Sequence, residues 1–185
     1  MGDFDYRKYW DAGFTWDAYL ADEVKEHRGL WTGVWERSRV PDWAMRTAAR
    51  LGGEWRLLVI SEDWCGDASN TVPVIARLAE ALPNLEMRVV KRDEHMELMD
   101  RHLTGTSRSI PLAVMLRPDF TVAGEWGPRP GELQQFVLRE KRAALRPTGE
   151  IYRDVRQWYA RDRGETTIRE ILAVLEAATE QRAAA

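Results

Sequence analysis

The sequence predicts an α/β fold: a central mixed sheet flanked by helices, built as a βαβ unit followed by ββα, with helical extensions at both ends. Three observations carry this. Trp55-Arg-Leu-Leu-Val-Ile60 is an apolar run of strand length, as expected of a strand buried on both faces. Residues 66–82 then change to helical period, with Val72, Ile75, Leu78, Ala79 and Leu82 on one side, before Glu86-Met-Arg-Val-Val-Lys91 reads as strand again. Strand, helix and strand in that order require a right-handed crossover and a parallel pair. Two further apolar runs, 111–116 and 120–126, flank Arg117-Pro-Asp-Phe120, a turn suited to an antiparallel hairpin. A helix over 130–145 closes the second unit.

The remaining elements follow in order. Residues 1–53 read as helical and aromatic-rich. Thr15 is placed to cap a helix over 16–28, where Trp16, Leu20 and Val24 share a face and His27 closes the stripe. A loop from Gly29 to Val40 carries Trp31 and Trp35. Pro41 opens a short helix that Gly52-Gly53 stops. Pro73 falls inside the helix over 66–82 and is expected to kink it. A short helix spans 94–103, and 105–109 is a loop. Gly127-Pro-Arg-Pro-Gly131 is a breaker. Two helices follow, over 149–162 and 165–181, the second with Thr167, Ile168, Ile171, Leu172 and Leu175 on its inner face. The tail 181–185 is expected to fray. The expected organisation is an extension over 1–53, a core over 54–147, and a second extension over 148–185 packing on that core as one compact domain.

Composition narrows the function. The chain has 185 residues, 44% hydrophobic and 31% charged, as in ordinary globular proteins. Its net charge of −3 argues against broad electrostatic binding to nucleic acid or anionic lipid. No apolar run is long enough to span a membrane, and the start has no apolar secretory core. The expected location is cytoplasmic. There are 9 Trp but 1 Cys, Cys65. One cysteine excludes an intramolecular disulfide and a paired-cysteine zinc site. It leaves an inert buried thiol, a catalytic thiolate, or a thiol that pairs with another molecule.

Cys65 lies where a strand ends and a helix begins, in Ser61-Glu-Asp-Trp-Cys-Gly-Asp-Ala68. Unpaired backbone amides and the helix dipole there favour thiolate, the reactive form. Trp64-Cys65-Gly66-Asp67-Ala68 resembles the Trp-Cys-Gly-Pro-Cys motif of thioredoxins with its last two residues replaced. Thioredoxins also carry a helix-kinking proline eight residues after the first motif cysteine, here Pro73. They open a core strand with a cis Ile-Pro pair, here Ile110-Pro111, with Gly105 upstream. The resemblance covers about 54–145, and the motif string is similar to a bacterial thioredoxin-like group with one motif cysteine. Ala68 takes the resolving-cysteine place, and Val59 replaces the family's buried acid.

The resemblance implies Cys65 as a catalytic position, and Trp64, Gly66, Ile110 and Pro111 as substrate-binding ones; Asp67, which replaces the motif proline, is a second candidate catalytic residue from its place beside the thiol. Asp67 reads either as a first-turn acid complementing the helix dipole, worth about 0.3–1 kcal/mol, or as a general acid/base. Its charge opposes the dipole's effect on the thiol, and the net sign stays open. Glu62, Asp63, Cys65 and Asp67 make a poor metal set, hard carboxylates with one soft thiolate. His95 and His102, seven apart, do not fit a metal pair and are expected to be solvated or partly packed. Trp10, Trp16, Trp31, Trp35 and Trp43 are expected to pack the extension on the core. The run Arg139-Glu-Lys-Arg142 is expected to be a solvated helix face.

The expected activity is monothiol thiol–disulfide redox chemistry, by mixed disulfide between Cys65 and a low-molecular-weight thiol or a client protein disulfide. No cofactor or metal is implied. The alternative is a thioredoxin-fold module that binds peptide or protein without chemistry. A third reading makes the Trp-rich extension a subunit interface, and the oligomeric state stays open.

Overall fold

The strands with the least access to water take the sheet's interior. From Leu57 to Ser61 every residue of β1 (Trp55–Ser61) is buried, so neighbours must cover both faces and both edges. The computed structural model, which describes residues 4–183, supplies them. β1 pairs in parallel with β2 (Leu85–Lys91) and antiparallel with β3 (Leu112–Leu116), and β3 pairs antiparallel with β4 (Val122–Trp126). The order is β2-β1-β3-β4, the expected mixed sheet. The turn between β3 and β4 puts Phe120 at φ 67, so β4 starts at Val122 and not at Phe120.

The crossover between β1 and β2 is α5 (Gly66–Ala81). Val72, Ile75 and Leu78 are buried along it, and Pro73 lies inside it. The short helix after β2 is smaller than the 94–103 expected. It consists of a 3-10 turn, Arg92–Glu94, and α6 (Met96–Met99).

The N-terminal segment departs from its sequence pattern in an instructive way. After α1 (Tyr6–Ala12), Thr15 caps the next helix as expected, its side chain accepting from the Ala18 amide. That helix, α2 (Trp16–Ala18), widens into a π turn over Tyr19–Glu23 and stops at Val24. His27 then turns left-handed at φ 53, and α3 (Arg28–Arg37) begins where a loop was expected. Gly29 and Gly33 weaken the helical signal of that segment. Burial outweighs it: Trp31 is fully buried and α3 packs on α5. α4 (Asp42–Leu51) follows Pro41 and ends at Gly52, as expected. Trp10, Trp16 and Trp31 join the main core, with Trp35 and Trp43 partly buried against it. Phe14 also exchanges backbone hydrogen bonds of 2.8 and 2.9 Å with Val89, covering part of the exposed edge of β2.

At the other end, α7 (Gly131–Ala143) does not close the sheet. It packs against α8 (Thr148–Asp162), and the helix lying along β4 is α9 (Glu165–Ala183). Gly124 of β4 approaches α9 so closely that a Cβ there would meet Val174 Cγ1 at 2.5 Å. Trp126 Nε1 donates to Glu170 at 2.7 Å. Thr167, Ile168, Ile171, Leu172 and Leu175 are buried on α9, as its pattern predicted. Both 130–145 and 165–181 are amphipathic, and amphipathicity does not say which sheet face a helix covers. α9 is helical through Ala183, past the point where fraying was expected, and the last residues of that tail, Ala184 and Ala185, lie outside the described residues. No helix among the described residues is long and apolar enough to cross a membrane.

Candidate functional site

β1 delivers its C-terminal end to a short corner, Glu62 to Cys65, and the first turn of α5 leaves from it. Cys65 is the N-cap residue, with φ −81° and ψ 118°, and its amide donates to the Glu62 carbonyl at 3.2 Å. The corner is tied down by its own acids. Asp63 Oδ2 accepts the amides of Lys25 and Glu26 at 2.8 and 2.7 Å, and its carbonyl accepts Trp31 Nε1 at 3.0 Å. Glu62 Oε1 accepts the Asp93 amide at 2.8 Å. These carboxylates hold backbone, and no cluster of three or more potential metal ligands occurs among the described residues.

Sulfur lies deeper than its place at a helix start implied. Cys65 is only 9% exposed, between Trp64 at 42% and an exposed Gly66. Its Sγ approaches the Ile110 carbonyl at 3.5 Å, and the Ile110–Pro111 peptide bond is cis. Burial pushes the thiol up from its ordinary value. The Ala68 amide opposes this, the Asp67 carboxylate adds to it, and the Asp67 amide and the Arg129 guanidinium pull back. The net direction, which the sequence left open, is up: desolvation outweighs the helix end.

Asp67 is buried and fully engaged. Tyr159 of α8 donates its hydroxyl to Oδ1 at 2.8 Å, and Arg129 Nη2 pairs with Oδ2. Arg129 also donates to Gln134 Oε1 at 2.6 Å. Asp67 is thus neither a free base nor a bare first-turn acid. Burial first, then the Asp67 charge, raises the Tyr159 phenol above its usual range. The loop carrying Arg129 is pressed onto Pro111: a Cβ on Gly127 would stand 2.3 Å from the Pro111 oxygen, and φ there is 137°, so only glycine fits. Gly127–Pro128 is a second cis bond.

The structure therefore brings Trp64, Cys65, Gly66, Asp67, Ile110 and Pro111 to one corner. Sequence reasoning missed Arg129 and Tyr159. Arg129 lay inside what read only as a breaker, although a cation between two prolines has few conformations and is well placed to hold an acid. Nothing in the local pattern of α8 distinguished Tyr159. Exposed Trp64 carries the Arg92 guanidinium 4.9 Å from its ring centre. His102, expected to be solvated or partly packed, is buried, with Tyr6 Oη at 3.0 Å and Glu125 Oε2 at 2.7 Å from its two ring nitrogens. These contacts let a polar ring enter the interior.

The family model described as Thioredoxin matches residues 13–146. The chain belongs to this thioredoxin family. The match spans the corner, the cis-proline strand and most of the N-terminal helices, so those helices lie largely within the family's own region. Among solved structures, this thioredoxin-family chain is similar to a protein of unknown function from Pseudomonas aeruginosa, with a TM-score of 0.76 and 20% identity, covering 95% of this chain and 99% of that one. It is also similar to an HIV epitope-scaffold, with a TM-score of 0.74 and 19% identity, covering 94% and 98%. At such identity these likenesses concern the fold. No curated protein matches the chain.

Proposed function

We propose that the chain is a monothiol member of the thioredoxin family, exchanging disulfides through Cys65 with a thiol supplied from outside. The observation that carries this is a lone cysteine at the start of α5, against the Ile110 carbonyl beside cis Pro111, with Ala68 where a second motif thiol would sit. The Cys65 thiol loses its proton and the thiolate attacks one sulfur of a substrate disulfide. A Cys65–sulfur bond forms, the substrate's S–S bond breaks, and the other half leaves as thiolate. A low-molecular-weight thiol or a protein thiol, as thiolate, then attacks the mixed disulfide and returns Cys65 as thiolate. Exposed Trp64 and Gly66 and the backbone at Ile110-Pro111 form the substrate-binding rim, and Asp67 sets the charge beside sulfur.

Intact mass after incubating the native chain with glutathione disulfide tests this. One glutathionyl adduct is expected on the wild type and none on Cys65→Ser. No adduct on the native wild type would sink the reading. Burial of Cys65 favours a second reading, a module that grips an extended segment at the same rim while the thiol stays protonated. Under that reading Cys65→Ser keeps full partner binding.

A further inference from the structure

We propose that α7 and α8 form a gate over Cys65, with Asp67 as its latch. The gate gives the redox reading its substrate access, although its existence is testable without that chemistry. The hairpin is inserted between β4 and α9, and its two helices pack on each other. Leu133, Val137, Val155 and Tyr159 form a cluster separate from the main core, with Trp158 edge-on to Tyr159 at 5.6 Å. Each end of the hairpin is fixed. At the entry, Gly127 is pressed on the Pro111 carbonyl. At the exit, Arg163 and Gly164 both have positive φ, and a Cβ on Gly164 would meet Val74 of α5 at 2.6 Å.

Between those fixed ends, the hairpin's body reaches the start of α5 through a polar contact, the Tyr159 hydroxyl on Asp67. Arg129, at the hairpin's root, holds the other oxygen of the same carboxylate. The carboxylate that both hold belongs to Asp67, two residues after Cys65 in the first turn of α5. A disulfide substrate must reach Cys65 in line with its own S–S bond, and 9% exposure does not admit one. Trp64, Ile110 and Pro111 belong to the corner itself, whereas α7 and α8 can tilt away with their own cluster intact. Local openings of this kind are drawn from segments with few apolar ties to the core.

Iodoacetamide labelling of the native full chain, above the pH at which the thiol ionises, reads the open fraction. Tyr159→Phe removes the donor on Asp67 and keeps the ring in its cluster, and, with the thiol fully ionised, should raise the labelling rate about tenfold, the factor for about 1.4 kcal/mol. Val155→Ala loosens the hairpin's own cluster, which a rigid tilt leaves intact, and should leave the labelling rate within about twofold of wild type. Amide exchange should increase over 131–162 in both variants and stay unchanged in β1 and β3. A wild-type labelling rate in Tyr159→Phe would overturn the gate, as would labelling in Val155→Ala as fast as in Tyr159→Phe, which would mean that general loosening and not the latch admits the reagent. A Tyr159→Phe protein that labels fast but forms no mixed disulfide with glutathione disulfide would defeat the redox reading and leave the gate standing. Mixed disulfide formed equally fast in all three proteins would do the reverse.

Discussion

At Cys65 two opposing effects meet: the amides of Asp67 and Ala68 favour the thiolate, and loss of water around sulfur disfavours it more strongly. A thiol held above its ordinary value is protonated when the chain is folded near neutral pH. Its contribution to stability is fully present below the unfolded value of about 8.5 and is lost as pH rises through the folded one. Asp67 is part of the cause, so Asp67→Ala should act in two directions at once. It removes a negative charge beside sulfur, and the pH midpoint of Cys65 alkylation should fall relative to the wild type. It also leaves buried Arg129 without its counter-charge, and unfolding free energy should drop by about 3–5 kcal/mol. Alkylation against pH and a denaturant titration check the two parts, and an unmoved midpoint would remove Asp67 from the thiol's electrostatics. Cys65, Asp67 and Pro111 were legible because they lie within one short motif or carry a distinctive dipeptide. Arg129 and Tyr159 were not, because their partner lies 62 and 92 residues away and periodicity records only local order.

Among the elements, strands announced themselves best. β1 and β3 are apolar enough that burial alone defines them, and the boundaries of β1, β2 and β3 fall within a residue of the pattern. Helices were found but misassigned to partners. The stretch over 130–145 has the amphipathic pattern of a closing helix, yet α9 lies on β4, and the decisive signal is a glycine in a strand. Gly124 has no side chain because Val174 occupies the space. Gly124→Ala should therefore cost about 1–3 kcal/mol by overpacking. Adding Val174→Ala should recover most of that loss. Thermal melts of the two single variants and the double variant measure the coupling, and additive losses would mean that this contact does not set the approach of α9. The loop expected over 29–40 became α3 for the complementary reason. Its glycines weaken local helix propensity, but Trp31 gains enough by burial against α5 to override them.

For the molecule as a whole, the main core draws on both ends of the chain. Tyr19 and Trp31 enter it from the N-terminal helices, and Ile168, Ile171, Leu172 and Leu175 from α9. Full burial of one such side chain contributes about 1.5–3 kcal/mol, so the α9 residues together match much of the 5–15 kcal/mol that holds a typical domain folded. A fragment of residues 54–147 should then show no cooperative thermal transition by circular dichroism, while the full chain shows one. A sharp melt of the fragment would mean that the two ends decorate an independent core. The overall α/β plan was legible from the order of apolar runs, since each run needed only its own residues. Which helix completes the sheet depends on a meeting of distant segments, and there the pattern was silent. The same placement of α9 bears on the protein's synthesis. A ribosome finishes β4 well before it makes α9, translating the whole α7–α8 hairpin in between. Throughout that interval the nascent chain presents the bare face of β4, unpacked, to its surroundings.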